Sequence, residues 1–114
     1  MIIAVDFDGT ITYKNAYPNV GEINPRAIEV LKKLQAEGHQ LCLWTCRDWF
    51  NHTINDAIDA CKECGLEFDY INESPYKTYS RKIIADVYID DAVLGGITNW
   101  DKIEELFERA KKHE

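Results

Sequence analysis

The chain has 114 residues, 46% of them apolar and 29% charged, and a formal net charge of −7. That length gives one domain, residues 1–114, able to bury about two-thirds of its unfolded surface without disulfides or structural metal, and it leaves no room for a second domain or a large insertion. The acidic balance argues against nucleic acid or an anionic membrane as partner, and with no cationic apolar leader and no apolar run near ~18 residues the expected location is the cytoplasm.

Ile2-Ile3-Ala4-Val5 is the pattern of a strand buried on both faces of a parallel sheet. It runs straight into Asp6-Phe7-Asp8-Gly9-Thr10. Buried ionised carboxylates are costly, so Asp6 and Asp8 are expected at the mouth of the sheet, where a cation or water reaches them. Gly9 permits a tight turn there. Residues 11–23 carry Tyr13, Tyr17, Pro18 and Gly21 and read as an exposed flap or active-site loop. Asn24-Pro25 is a cap followed by proline at the first helical position. Ala27, Ile28, Val30, Leu31 and Leu34 form that helix's apolar face, and Gly38 ends it.

Residues 40–45 are the second strand. A helix is expected from Trp49 or Asn51 to Cys64, and a short strand over 68–71. Residues 72–80, with Pro75, read as a loop crossing the sheet mouth. Residues 81–85 read as one helical turn before the strand Val87-Tyr88-Ile89. Thr98 or Asn99 caps a last helix with Ile103, Leu106, Phe107 and Ala110 on its apolar side. Strands alternating with helices predict an α/β fold: a Rossmann-like three-layer sandwich with a mostly parallel central sheet and helices on both faces. The first strand is expected between those ending near Thr45 and Ile89, which opens a crevice at their carboxyl ends.

A second carboxylate pair, Asp90-Asp91, follows the late strand. Asp6 and Asp8 share one strand face if the chain stays extended. Carboxylates this close need a cation or a shared proton, and with Asp90 they suit Mg2+ as hard oxygen ligands. Thr45-Cys46-Arg47, a hydroxyl, amides and an arginine ahead of a helix, suits phosphate. Thr45 also reads as a helix cap, and Arg47 as a partner of Asp48 or a surface acid. Lys82 is a candidate point charge near the acids, with Lys77, Arg81 and Lys102 as rivals. Cys61 and Cys64, with Cys42 and Cys46, have zinc-like spacing. Cys61, however, continues an apolar helix side and Cys42 lies in a strand, so both are expected as buried free thiols of a reducing compartment. His39, His52 and His113 share no spacing that suggests a site.

Three of these segments resemble motifs of the haloacid dehalogenase superfamily of magnesium-dependent phosphatases. The first is Val5-Asp6-Phe7-Asp8-Gly9-Thr10. The second is Leu43-Trp44-Thr45, extended by Cys46-Arg47. The fourth is Val87-Tyr88-Ile89-Asp90-Asp91, and the third-motif lysine best matches Lys82, with Lys77 next. Order and placement agree up to about residue 91, in a compact form without a large cap. The resemblance implies that Asp6 attacks phosphorus and forms an aspartyl-phosphate. Asp8 then protonates the leaving oxygen and later activates water. Asp6, the Asp8 carbonyl and Asp90 contact Mg2+, and Asp91 orients metal-bound water or the lysine. Thr45 and Lys82 hold phosphoryl oxygens, and Thr10, Cys46 and Arg47 complete the substrate-binding set.

An acid at position 8 favours phosphatase over dehalogenase chemistry. The implied activity is a phosphomonoesterase acting on a small phosphorylated metabolite. Selection of that substrate falls to the flap, to Trp49, Tyr76 or Tyr79, or to a neighbouring subunit of a homo-oligomer. The rival classes are a receiver-like phospho-acceptor domain and a catalytically silent phosphate-binding protein.

Overall fold

The structure, a computed structural model, describes residues 1–112. Four apolar runs become four short strands: β1 (Ile2–Val5), β2 (Gln40–Leu43), β3 (Tyr70–Ile71) and β4 (Val87–Ile89). Their order is β3-β2-β1-β4, and every pairing is parallel. β1 therefore lies between β2 and β4, as expected, and both of its faces are buried. Three helices complete the fold: α1 (Pro25–Ala36), α2 (Thr53–Glu63) and α3 (Trp100–Lys112).

The register assigns the two faces. Ile3 aligns with Leu41 and Val87, and Val5 with Leu43 and Ile89. These residues form one core with Leu31 and Leu34 of α1, Ala57 and Cys61 of α2, and Trp100 and Ile103 of α3. All three helices thus cover the same face. The other face, Ala4, Cys42 and Tyr70, packs against Ile83 and Ala85 from the crossing between β3 and β4. Handedness explains the division. The steps β1–α1–β2 and β2–α2–β3 move in one direction, and the return to β4 must run over the opposite face to keep right-handed connections.

The expectation of helices on both faces is corrected here, and with it the helical turn over 81–85. That segment is irregular. Ser74 Oγ accepts from Ile84 N at 2.9 Å and Ser80 Oγ donates to Lys82 O at 2.9 Å. Serine hydroxyls take the backbone partners a helix would need. The same competition shortens α2, which starts at Thr53 instead of Trp49 or Asn51. Asp48 Oδ1 accepts from Asn51 N, and Thr53 Oγ1 accepts from Asp48 N.

α1 is capped by Asn24, whose Oδ1 accepts from Arg26 N at 3.0 Å. Asn99 does the same for α3 through Lys102 N at 2.9 Å. Leu106, expected to cover the sheet, and Ala110, expected on the same apolar side of the helix, are exposed. α3 packs beside α1 over an edge strand, and among the described residues no strand beyond β4 supports its outer side. An apolar groove of about 410 Å3 remains between them, lined by Val87, Ile89, Ile103, Leu106 and Phe107. All four cysteines are free, with Cys42 and Cys61 buried as expected. No helix among the described residues is long and apolar enough to cross a membrane.

Candidate active site

The strand order reverses at β1, so the crevice between the ends of β1 and β4 is where side chains from both converge. The backbone carries the convergence past the strands. Asp6 N donates to Ile89 O at 2.9 Å, holding the end of β1 against β4. A tight turn follows, in which Phe7 O accepts from the amides of Thr10, Ile11 and Thr12. Gly9 sits at φ +77°, and a Cβ there would overlap the Asp91 carboxylate. Glycine is required at this point both for the turn and for the approach of the late acid pair.

Asp6, Asp90 and Asp91 bring one carboxylate oxygen each within 4.8 Å of one another. Thr10 joins the two chain segments: its hydroxyl accepts from Asp91 N at 3.0 Å and lies 3.4 Å from both Asp6 Oδ2 and Asp91 Oδ1. Its carbonyl accepts from the buried Trp100 Nε1 at 3.1 Å, so α3 fixes the turn from behind. Burial first, and the neighbouring Asp90 second, push the Asp6 carboxyl up to about 7, against the pull of the Phe7 amide. Among the described residues, Asp8 alone of these four acids has an ion-pair partner. The trio therefore concentrates negative charge without a basic side chain to offset it.

Asp8 is held elsewhere. Its carboxylate accepts from Arg47 Nε at 2.8 Å and from Arg47 Nη2 at 2.7 Å. The structure places Arg47 differently from the phosphate-facing position expected of it. It is 1% exposed, and its remaining donors go to the carbonyls of Pro18, Asn19 and Thr53. Cys46 is exposed beside it. Thr45 Oγ1 accepts from Arg47 N at 3.1 Å, which leaves the hydroxyl proton for a ligand.

Sequence reasoning missed what holds Thr45. Asn72, at the end of β3, accepts from Thr45 N at 2.9 Å and donates to Thr45 O at 3.0 Å. Its side chain extends the ladder past the last strand residue. Its φ of 50° marks the left-handed conformation asparagine tolerates, and a lone Asn after a strand was the sole signal available. Lys82 is exposed, with Nζ 4.8 Å from the centre of the Tyr88 ring. Lys77 and Arg81 line a groove of about 310 Å3 with Trp44, Asn72 and Tyr76. The segment that carries all three cations is the irregular crossing.

A parallel sheet that reverses at its first strand, with an acidic trio seated at the reversal, is the architecture of a haloacid dehalogenase-type hydrolase. Residues 3–106 match the haloacid dehalogenase-like hydrolase family, and the chain belongs to it. The chain is also similar to a solved structure of a conserved protein from Bacteroides thetaiotaomicron. The two are 44% identical over 96% of this chain and 91% of that one, with a TM-score of 0.88. No curated protein gives a significant match.

Proposed function

We propose that the protein is a magnesium-dependent phosphomonoesterase acting on a small phosphorylated metabolite. The observation that carries this reading is the uncompensated Asp6–Asp90–Asp91 trio at the strand-order reversal. Its donors are carboxylate oxygens, with no thiol or imidazole among them, which fits Mg2+. The raised proton affinity of Asp6 fits it too, because burial first and the Asp90 charge second penalise its ionised form, and a bound cation offsets both. Mg2+ bound there supplies charge neutralisation at the phosphoryl group.

The chain's own residues take the remaining roles. An Asp6 oxygen attacks phosphorus in line, forming an aspartyl-phosphate as the bond to the leaving oxygen breaks. Asp8 gives that oxygen a proton, and the resulting carboxylate takes one from the water that hydrolyses the intermediate. The Thr45 hydroxyl donates to a phosphoryl oxygen. Lys82 or Lys77 adds a positive charge once the crossing segment closes on substrate. Exposed Trp49, Tyr76 and Tyr79 offer apolar surface for the rest of the substrate.

One observation favours a second reading, a phospho-acceptor module with slow hydrolysis: the acid that turnover needs is occupied by Arg47. A Mg2+-dependent screen of sugar phosphates, nucleotides, phosphoamino acids and acyl phosphates separates the two. The phosphatase reading expects phosphate release that Asp6→Asn abolishes. Stable stoichiometric phosphorylation of Asp6 without release would give the acceptor reading. Neither outcome, in a folded protein that binds Mg2+, would overturn both.

A further inference from the structure

A guanidinium has five N–H donors, and in Arg47 each has a partner. Nε and one Nη2 hydrogen hold Asp8, the other Nη2 hydrogen reaches Asn19 O, and Nη1 reaches Pro18 O and Thr53 O. The rings of Phe7 and Tyr17 lie on it, each centroid 5.3 Å from Cζ. One side chain thus joins the catalytic turn, the start of α2 and the tip of the flap.

The flap has few other ties. Its base is closed by the Thr12–Ile23 bridge and the Tyr13 N to Glu22 O bond. Within the tip, Thr12 Oγ1 bonds Lys14 O, Tyr17 N bonds Asn15 Oδ1, and Asn19 N bonds Ala16 O. Residues 13–20 are exposed. Among the described residues, the hydrogen bonds from the tip to the body of the protein are the two that Arg47 donates.

We propose that Arg47 is a positioning residue that sets the flap tip and the Asp8 carboxylate as a single unit, and that it does not bind the substrate phosphate. A phosphate could recruit this guanidinium only by displacing Asp8, the flap carbonyls or the Thr53 carbonyl. Movement of the flap against the non-phosphate part of a substrate is transmitted through Arg47 to the acid that must meet the leaving oxygen. The flap thereby selects substrates by how it places Asp8. The proposal rests on the phosphomonoesterase reading for its catalytic half, whereas its structural half stands apart from activity.

Arg47→Met and Arg47→Lys, with Tyr17→Ala as a variant that leaves the buried ion pair intact, test it. Hydrogen exchange of amides 14–21 is measured with no substrate present. Turnover is compared between an alkyl phosphate, which needs a proton at its leaving oxygen, and p-nitrophenyl phosphate, which does not. In Arg47→Met, exchange at 14–21 is expected to rise at least about tenfold, and the alkyl-to-aryl ratio of kcat/KM, which reports the phosphorylation step and not the shared hydrolysis of the intermediate, to fall by about 10²-fold, the range of a lost general acid. Arg47→Lys is expected to fall between, because one ammonium cannot make the bidentate pair. Tyr17→Ala is expected to lower the same ratio in a fully folded protein. Inhibition by inorganic phosphate is expected to stay within about threefold.

Weaker phosphate inhibition with unchanged flap exchange would overturn the proposal and make Arg47 a phosphate ligand. Equal loss of kcat/KM on both substrates, with Tyr17→Ala silent, would overturn it as well. If the parent shows no turnover on any substrate, the phosphomonoesterase reading fails. The exchange measurement then still decides whether Arg47 holds the flap, with unchanged exchange at 14–21 overturning the proposal.

Discussion

Replacing Asp6 with asparagine is expected to change how stability depends on pH in metal-free protein. In the folded chain the Asp6 proton is held up to about pH 7, against 3.8 for an ordinary aspartate. Each tenfold difference in proton affinity is worth about 1.4 kcal/mol, so ionised Asp6 costs the folded state up to about 4 kcal/mol. Asp6 keeps part of its surface in water, and screening leaves about 2–3 kcal/mol. The sign follows from proton counting. Between about pH 4 and pH 7 the folded chain binds a proton that the unfolded chain has lost, so stability falls as pH rises and levels off above the folded value.

About two-thirds of that loss accrues between about pH 5 and pH 8. For a domain of this size it corresponds to a Tm change of about 5–8 °C. Asp6→Asn has no such proton to lose. Thermal unfolding followed by circular dichroism in EDTA, for parent and variant across that range, isolates the group. The variant is expected to gain on the parent by about 5–8 °C as pH rises, and Mg2+ at the upper end to restore the parent but not the variant. A Tm difference that stays constant with pH would refute the reasoning, because burial and the Asp90 charge could not then be what holds the proton.

Asp90→Ala is expected to weaken Mg2+ binding by at least about tenfold in a calorimetric titration while raising the Tm of the metal-free protein, since it removes both a ligand and a repulsive charge. Equal Mg2+ affinity would show that the cation sits elsewhere. Gly9→Ala places a Cβ against the Asp91 carboxylate at a positive φ and is expected to cost about 1–3 kcal/mol in urea unfolding. Trp100→Phe leaves the Thr10 carbonyl without its buried donor, and a loss of about 1–2 kcal/mol is expected. An unchanged unfolding midpoint in either variant would contradict the packing described for that turn.

The sheet was legible because its strands are short and mostly apolar, and two of them run directly into acid pairs. Ile2–Val5 and Val87–Ile89 could hardly be anything else, and the parallel order with β1 inside followed from the alternation with helices. An acidic cluster was legible because two strand ends repeated one costly feature, but its membership was not: the sequence grouped Asp6 and Asp8 with Asp90, whereas the tight turn after β1 sends the Asp8 carboxylate to Arg47 and Asp91 takes its place. Arg47 was not. Its type and place after β2 suggested phosphate, and only tertiary structure brings Asp8, Pro18, Asn19 and Thr53 around it. Asn72 escaped because its bonds to Thr45 join residues far apart in sequence. The crossing over 81–85 was misread because Ser74 and Ser80 bond the backbone locally, a competition that apolar spacing does not register. Leu106 and Ala110 obeyed helical periodicity, but periodicity does not say where a sheet ends.

The crossing between β3 and β4 must traverse three strand spacings, about 14 Å, and it does so without a helix. Between its anchored ends, Asn72 on Thr45 and Asp86 on Ile2, its ties to the sheet are few: Cys42 Sγ on Glu73 O at 3.3 Å, the Tyr88 hydroxyl on Ile83 O, and buried Ile83 itself. A strap so lightly fastened can lift while the strand ladder beneath stays paired, as a unit of low opening energy. Two buried thiols time such events independently. Cys42 lies under the strap, and Cys61 lies between α2 and the opposite face. Burial pushes both up, to about 11 and about 12, so each reacts with an alkylating reagent only when uncovered. The labelling rate of Cys42 then reads the opening of the strap that bears Lys77 and Lys82, and the rate of Cys61 reads unfolding of the helical layer. The chain carries its own internal clock for the segment that bears Lys77 and Lys82.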